Sequence, residues 1–279
     1  MSDADRVASA VQFACLLEAS APKPGNVSPG RHFHDMRYED FLASAAAIGP
    51  AFLKAGELPL GQLVREAVTA TNRVVPVNTN LGIALLLAPL AKAALDPREG
   101  DLRARTARIL AESTVDDAEE VYAAIRLAAP GGLGAAPAED IHGAPTVSLL
   151  ETMRLAADRD AVAREYADAF ATTFTISAPA LAAARQAGLS WDEAIVECAL
   201  VLLAEQLDTL IVRKLGPAAA ADVQKQARQV RAAGGVRTEQ GRQALAAFDT
   251  ALRDPANRRN PGTTADLIAA ACFVVIFGP

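Results

Sequence analysis

The sequence is short of aromatic residues (5%), has only three cysteines, and contains no basic tract. Each shortage excludes something. Cys15, Cys198 and Cys272 lie far apart with no CxxC pair, so neither a disulfide framework nor a thiolate metal site is expected, and the three fit buried, reduced thiols of a cytoplasmic protein. The formal charge of −6, with acids and bases interspersed, lacks the electrostatic footprint of a nucleic-acid or anionic-membrane binder. The N-terminal MSDADRVASA lacks the basic-then-apolar order of a signal peptide, and the apolar run LIAAACFVVIF at 267–277 is too short to span a bilayer. Also missing are GxxxxGK[ST], a GxGxxG after a strand, and HExxH, so a bound nucleotide needs some other arrangement.

What the chain has in quantity is alanine and leucine, within a 51% hydrophobic composition over 279 residues. That suits helices packed closely through small side chains. No alternating strand pattern and no linker-like composition shift interrupts it, so residues 1–279 are expected to form a single all-α domain with a long polar loop near the N-terminus. Helical spacing of apolar residues predicts helices over about 5–20, 40–48, 60–74, a central apolar helix at IALLLAPLAKAAL, 101–112, 116–127, 146–156, 159–173, 178–187, one long helix over 190–216, then 217–233, 238–253 and the C-terminal run. The PGGLG at 130–134 reads as a stop. DDAEE at 116–120 is simplest as a solvated helix face.

Four polar stretches break this pattern. The first, PKPGNVSPGRHFHD at 22–35, gathers Lys23, Pro24, Gly25, Asn26, His34 and Asp35 in a segment that reads either as a rigid connector with solvated side chains or as a site. It also holds His32, so two of the three histidines are here, the third being His142. The second, Asn78-Thr79-Asn80 before Gly82, opens the greasiest helix. One such residue suffices as a cap, and a helix N-terminus with surplus amides suits a phosphate or a nucleobase edge. The third, LDTLIVRKLG at 207–216, puts Asp208, Arg213 and Lys214 into an apolar helix, where charges must be paired or used. A snorkelling helix end accounts for the two cations but not for Asp208. In the fourth, NPGTTADLIAAA at 260–271, Thr263 or Thr264 as N-cap and Asp266 in the first turn make a complete structural explanation.

In their order, PKPGNVSPG with HFHD, FLASAAAIGPAF, VNTNLG, LDTLIVRKLG and NPGTTADLIAA resemble the triphosphoribosyl-dephospho-CoA synthase family, from about residue 12 to the C-terminus. The resemblance implies an all-α enzyme in which the 2′-hydroxyl of 3′-dephospho-CoA attacks C1′ of ATP and adenine leaves. On that basis Lys23, Arg213 and Lys214 are expected to hold phosphates and Asp208, Asp266 or Asp35 to hold Mg²⁺. His34 or Asp35, with Asp208, are the expected catalytic groups. Asn78 and Asn80 are expected on the adenine or ribose, and Pro24, Gly25, Asn26, Thr79, Gly82 and Gly262 in the nucleotide site. The implied partners are ATP and dephospho-CoA or a related acceptor, and apolar faces expected on the Ala-rich helices suggest a homodimer. The family's form of the second stretch is GGVNTHKG, whereas this chain has VPVNTNLG, with Asn80-Leu81 where an imidazole and an ammonium would stand. NTNLG together with PGGLG resembles a divergent branch from organisms with tetrahydromethanopterin-linked one-carbon metabolism, which implies ribosyl or phosphoribosyl transfer in coenzyme biosynthesis as the alternative. A non-catalytic nucleotide-binding helical protein is the other.

Overall fold

Alanine- and leucine-rich helical spacing produces helices throughout: the described residues, 2–131 and 138–278 of a computed structural model, form fourteen α-helices and no strand. In chain order these are α1 (Asp3–Ser20), α2 (Tyr38–Phe52), α3 (Leu60–Asn72), α4 (Leu81–Leu95), α5 (Leu102–Ala111), α6 (Val115–Ala128), α7 (Leu149–Ala156), α8 (Ala161–Ala167), α9 (Ala178–Gln186), α10 (Trp191–Glu205), α11 (Thr209–Leu215), α12 (Pro217–Ala232), α13 (Glu239–Leu252) and α14 (Gly262–Phe277). Capping boxes at Ser2, Thr114, Ser148 and Ser190 satisfy the first free N–H groups of α1, α6, α7 and α10. Among the described residues no helix is long and apolar enough to cross a membrane.

The centre is α4 with α14. Both are apolar nearly all round, and α4 packs against α1, α3, α5 and α14. Ala84, Ala88 and Ala91 of α4 and Ala269, Ala270 and Ala271 of α14 are fully buried, small side chains that let helix axes approach closely. A second apolar cluster lies between α10, α11, α12 and α13. Helix α10 belongs to both, giving Ile195, Cys198 and Leu202 to the first and Val196, Leu200 and Leu203 to the second.

Three sequence expectations are corrected. The segment 190–216 is two helices: α10 ends at an extended Gln206, and Asp208 is the N-cap of α11, accepting from Leu210 N at 3.0 Å and Ile211 N at 3.1 Å. An aspartate that looked like a charge inside a helix is therefore a charge at a helix start, where the dipole favours it. The segment 159–173 stops at Ala167, because Ala169 and Phe170 take positive φ (50° and 56°), and the buried Glu165 accepts from Thr172 N and Thr173 N at 2.8 and 2.9 Å across the break. Helix α14 is not capped by its own Thr263 or Thr264. Instead Asp208 accepts from Thr264 N and Thr264 Oγ1, both at 2.8 Å. Of PGGLG, Gly132 to Gly134 lie outside the described residues; Ala129, at φ 43°, ends α6 just before it.

Candidate active site

The starts of α4 and α14, the end of α6, the loop before α8 and the last turns of α11 surround a cavity of about 780 Å³. That is the size of a pocket that buries a nucleotide-sized ligand. The close approach of α4 to α14 depends on Gly82: a Cβ there would stand 2.2 Å from Asp266 Oδ2. The opposite wall is carried by the N-terminal loop, which is stapled to α13. Gly25, at φ +73°, donates its N–H to Asp249 Oδ1 at 2.8 Å, and a Cβ at that position would meet Leu252 Cβ at 2.7 Å. Arg31 pairs with Asp249, and Arg253 Nη2 donates to the Asn26 carbonyl at 2.8 Å.

Asn78, Thr79, Asn80 and Gly82 all line the cavity. The tripeptide also has internal duties. Asn78 Oδ1 accepts from Leu81 N at 3.1 Å and so supplies the cap, Thr79 shares a short hydrogen bond with Ser44, and Asn80 Nδ2 donates to Thr71 Oγ1 at 2.8 Å. Arg213, Lys214, Asn26, Asp35, Gly262 and Asp266 line the same cavity.

Other expected residues are not. Lys23 is buried and locked in an ion pair with Glu18, Nζ to Oε1 3.0 Å, so that Glu18 rather than Lys23 reaches the lining. Pro24 and Gly25 are buried in the staple to α13. His34 sits exposed, its Nδ1 3.1 Å from Asn257 Nδ2 and 3.7 Å from Asp35 Oδ1, outside the lining. Asp208, 4% exposed, is also outside it, its carboxylate engaged by the four donors given above. Burial pushes its pKa up, against hydrogen bonds that favour the charged form. Of the carboxylates expected on Mg²⁺, Asp35 and Asp266 line the cavity and Asp208 does not, and among the described residues no group of three or more metal-ligating side chains is spaced to hold an ion.

The section 100–190, the least distinctive in its motifs, adds Tyr122, Glu139, Asp140, Thr152, Arg159 and Asp160. Tyr122 donates to the Glu139 carbonyl at 2.6 Å; burial, with Glu139 and Asp140 nearby, raises its pKa to about 12, so it is a neutral donor. Asp160 caps α8, accepting from Val162 N at 2.9 Å and Ala163 N at 3.1 Å, and its other oxygen meets Arg213 Nη1 at 3.4 Å. The sequence signal for the pair is Arg159-Asp160 standing between two apolar periodic runs; for Glu18 it is a carboxylate inside an apolar helix one turn before a Pro-Gly break.

Charge in the cavity is uneven. Arg159, Arg213 and Lys214 face six carboxylates: Glu18, Asp35, Glu139, Asp140, Asp160 and Asp266. Among the described residues the side chains of Arg159 and Lys214 have no hydrogen-bond or ion-pair partner, and Arg213 keeps a buried Nε without one. Asn260 Oδ1 is likewise buried and unpartnered. Partial burial and the neighbouring Arg213 lower the pKa of Lys214. Unmatched donors of this kind are what a phosphorylated ligand would satisfy. Burial first, then Glu18, Asp160 and Asp208, push Asp266 well above the ordinary carboxylate range, with Arg213 opposing.

Fold and cavity together define a class: an all-α protein with a large cleft whose described lining carries side-chain donors of Arg159, Arg213 and Lys214 left for a polyanionic ligand. The sequence matches the model of the CitG family, ATP:dephospho-CoA triphosphoribosyl transferase, over residues 4–278, and the chain belongs to that family. Its relatives include proteins named "Probable 2-(5''-triphosphoribosyl)-3'-dephosphocoenzyme-A synthase" from Stutzerimonas stutzeri, 28% identical over 98% of this chain and 92% of the relative, and from Pseudomonas putida, 29% identical over 98% and 95%. The crystal structure of an Archaeoglobus fulgidus protein named as a triphosphoribosyl-dephospho-coA synthase superposes with a TM-score of 0.65 at 30% identity, covering 84% of this chain and 97% of that one.

Proposed function

We propose that the cavity is where this ATP-dependent transferase moves a triphosphoribosyl group from ATP to the 2′-hydroxyl of 3′-dephospho-CoA, with release of adenine. The observation that carries the assignment is the set of unsatisfied groups in one lining: free Arg159 and Lys214, the orphaned Nε of Arg213 and the orphaned Oδ1 of Asn260. The three cations suit the triphosphate, and the amides of Asn78, Asn80 and Asn260 suit the edges of the base and sugar. Displacement at C1′ develops positive charge on the ribose ring, which the surrounding carboxylates stabilise. Because carboxylates outnumber cations, the triphosphate would enter with Mg²⁺ as counter-charge, the ion keeping water and phosphate as ligands in place of a protein cage. The free, buried cysteines suit a cytoplasmic enzyme, and exposed Phe13 and Leu16 on α1 support a homodimer.

The test is product analysis. The protein incubated with ATP, Mg²⁺ and dephospho-CoA should release one adenine per triphosphoribosyl adduct, and Arg213→Ala should raise the KM for ATP about tenfold or more. Release of ADP would show a phosphotransferase, and no product from either nucleotide part would show a binding protein. Adenine formed only with a pterin-type acceptor would move the reaction to one-carbon coenzyme synthesis.

A further inference from the structure

The transfer needs a proton to travel. The attacking hydroxyl must lose one, and adenine must gain one if it is not to depart as an anion. The cavity offers few groups for this. None of the three histidines lines it. Glu18 is paired with Lys23, Asp160 caps α8 and meets Arg213, Glu139 accepts from Thr146 N and Oγ1, Asp140 accepts from His142 N, and Asp35 lies beside His34 at the exposed rim. Tyr122 already donates to a carbonyl. Asp266 differs from all of them. It lines the cavity, its carboxyl has no hydrogen-bond or ion-pair partner among the described residues, and its Oδ2 is placed against the bare backbone of Gly82, where any side chain would collide with it.

We propose that Asp266 is the proton carrier of the transfer: its carboxyl gives a proton to the departing adenine as the C1′–N9 bond breaks, and regains one from the 2′-hydroxyl as the C1′–O bond forms. The step balances within the active site. Adenine leaves neutral, the acceptor oxygen ends in a glycosidic bond to C1′, and Asp266 returns to its starting form with no co-reactant consumed. The surroundings favour the protonated form that this role starts from: burial first, then Glu18 from α1, Asp160 before α8 and Asp208 before α11 raise the pKa of the carboxyl, against the single cation Arg213 from α11. In its protonated form the carboxyl donates, and once ionised it is a base in a site already crowded with negative charge. The inference rests on the triphosphoribosyl-transfer reading above.

Asp266→Asn is the direct test, because the amide keeps the shape and no hydrogen bond is lost on the protein side. With ATP and dephospho-CoA the variant should lose about 10²–10³-fold in kcat with KM for ATP within about threefold, since only the proton transfer is removed. With 6-chloropurine riboside 5′-triphosphate, whose purine departs more readily without a proton, the deficit should shrink by roughly tenfold or more. The proposal is overturned if the variant keeps wild-type kcat, if raised Mg²⁺ restores it, which would make Asp266 a metal ligand, or if the two donors suffer equally. Should the variant melt well below the wild type, the wild-type enzyme decides alone: kcat with ATP should fall as pH rises and the carboxyl ionises, and that limb should be weaker with the chloropurine donor. Identical limbs would sink the idea. If the wild type releases no adenine at all, the functional reading fails and this inference falls with it; if it does, only Asp266 is on trial.

Discussion

An unpartnered carboxyl among other carboxyls costs stability, and Asp266 is such a group. Its pKa in the folded chain lies well above the ordinary value near 4, so between those two values the native state binds more protons than the unfolded state. Stability from this residue is therefore largest at low pH and is lost as pH rises through the folded-state value. Asp266→Asn removes that loss. The melting temperature of the variant should be close to wild type near pH 4 and should exceed it by a growing margin toward pH 8. Asp208 and Glu165 are shifted in the same direction but are present in both proteins and cancel in the difference. A variant that melts lower at every pH would mean that Asp266 has a stabilising partner. Activity lost while stability rises is the signature of a residue kept for chemistry.

At the scale of elements, the decisive device is Asp208, one carboxylate serving two helix starts. It holds Leu210 N and Ile211 N of α11 and Thr264 N and Oγ1 of α14. In this way it fixes Arg213 on one helix relative to Asp266 on the other. Asp208→Ala leaves buried donors on both helices without a partner, and chemical denaturation should show a loss of about 3 kcal/mol or more, with Asp208→Asn intermediate. A change below about 0.5 kcal/mol would mean water replaces all four bonds. This residue also marks how far the sequence could be read. Helix periodicity located nearly every element, and the polar interruptions at 78–80, 213–214 and 260–266 do reach the cavity. Apolar spacing places Asp208 inside a helix because the break over Gln206-Leu207 carries no Gly or Pro and the spacing runs through it. The ion pair that withdraws Lys23 is hidden for a different reason: Glu18 sits inside a helix whose other residues give no sign of a buried charge. Arg159 and Asp160 carry no separate signal because an acidic residue before a helix is complete as a cap, and only tertiary contact with Arg213 shows its second use.

For the whole molecule, the question is whether the cavity stands on one folding unit. Its lining comes from α1 at one end of the chain and α14 at the other, with α4, α6, α7, α8 and α11 between them, so no contiguous half contains it. Two apolar clusters nevertheless divide the core, the larger around α4 and α14 and the smaller among α10 to α13. What joins them is α10, whose residues enter both, and the staple of the N-terminal loop to α13 through Gly25, Arg31 and Asp249. We propose that these links are sufficient for the chain to unfold as one cooperative unit. Calorimetry should then give a single transition with calorimetric and van't Hoff enthalpies in a ratio of about one. Leu200→Ala in the smaller cluster and Leu86→Ala in the larger should each lower that same transition, by the roughly 2–5 kcal/mol of a buried leucine truncation. If instead Leu200→Ala splits off an early transition while the Leu86 variant moves only a later one, α10 to α13 form a separately melting layer. ATP would discriminate further: in the proposed function it fills the cavity lined by Arg213 and Lys214 of α11 and Asp266 of α14, so saturating nucleotide should merge two transitions or raise a single one.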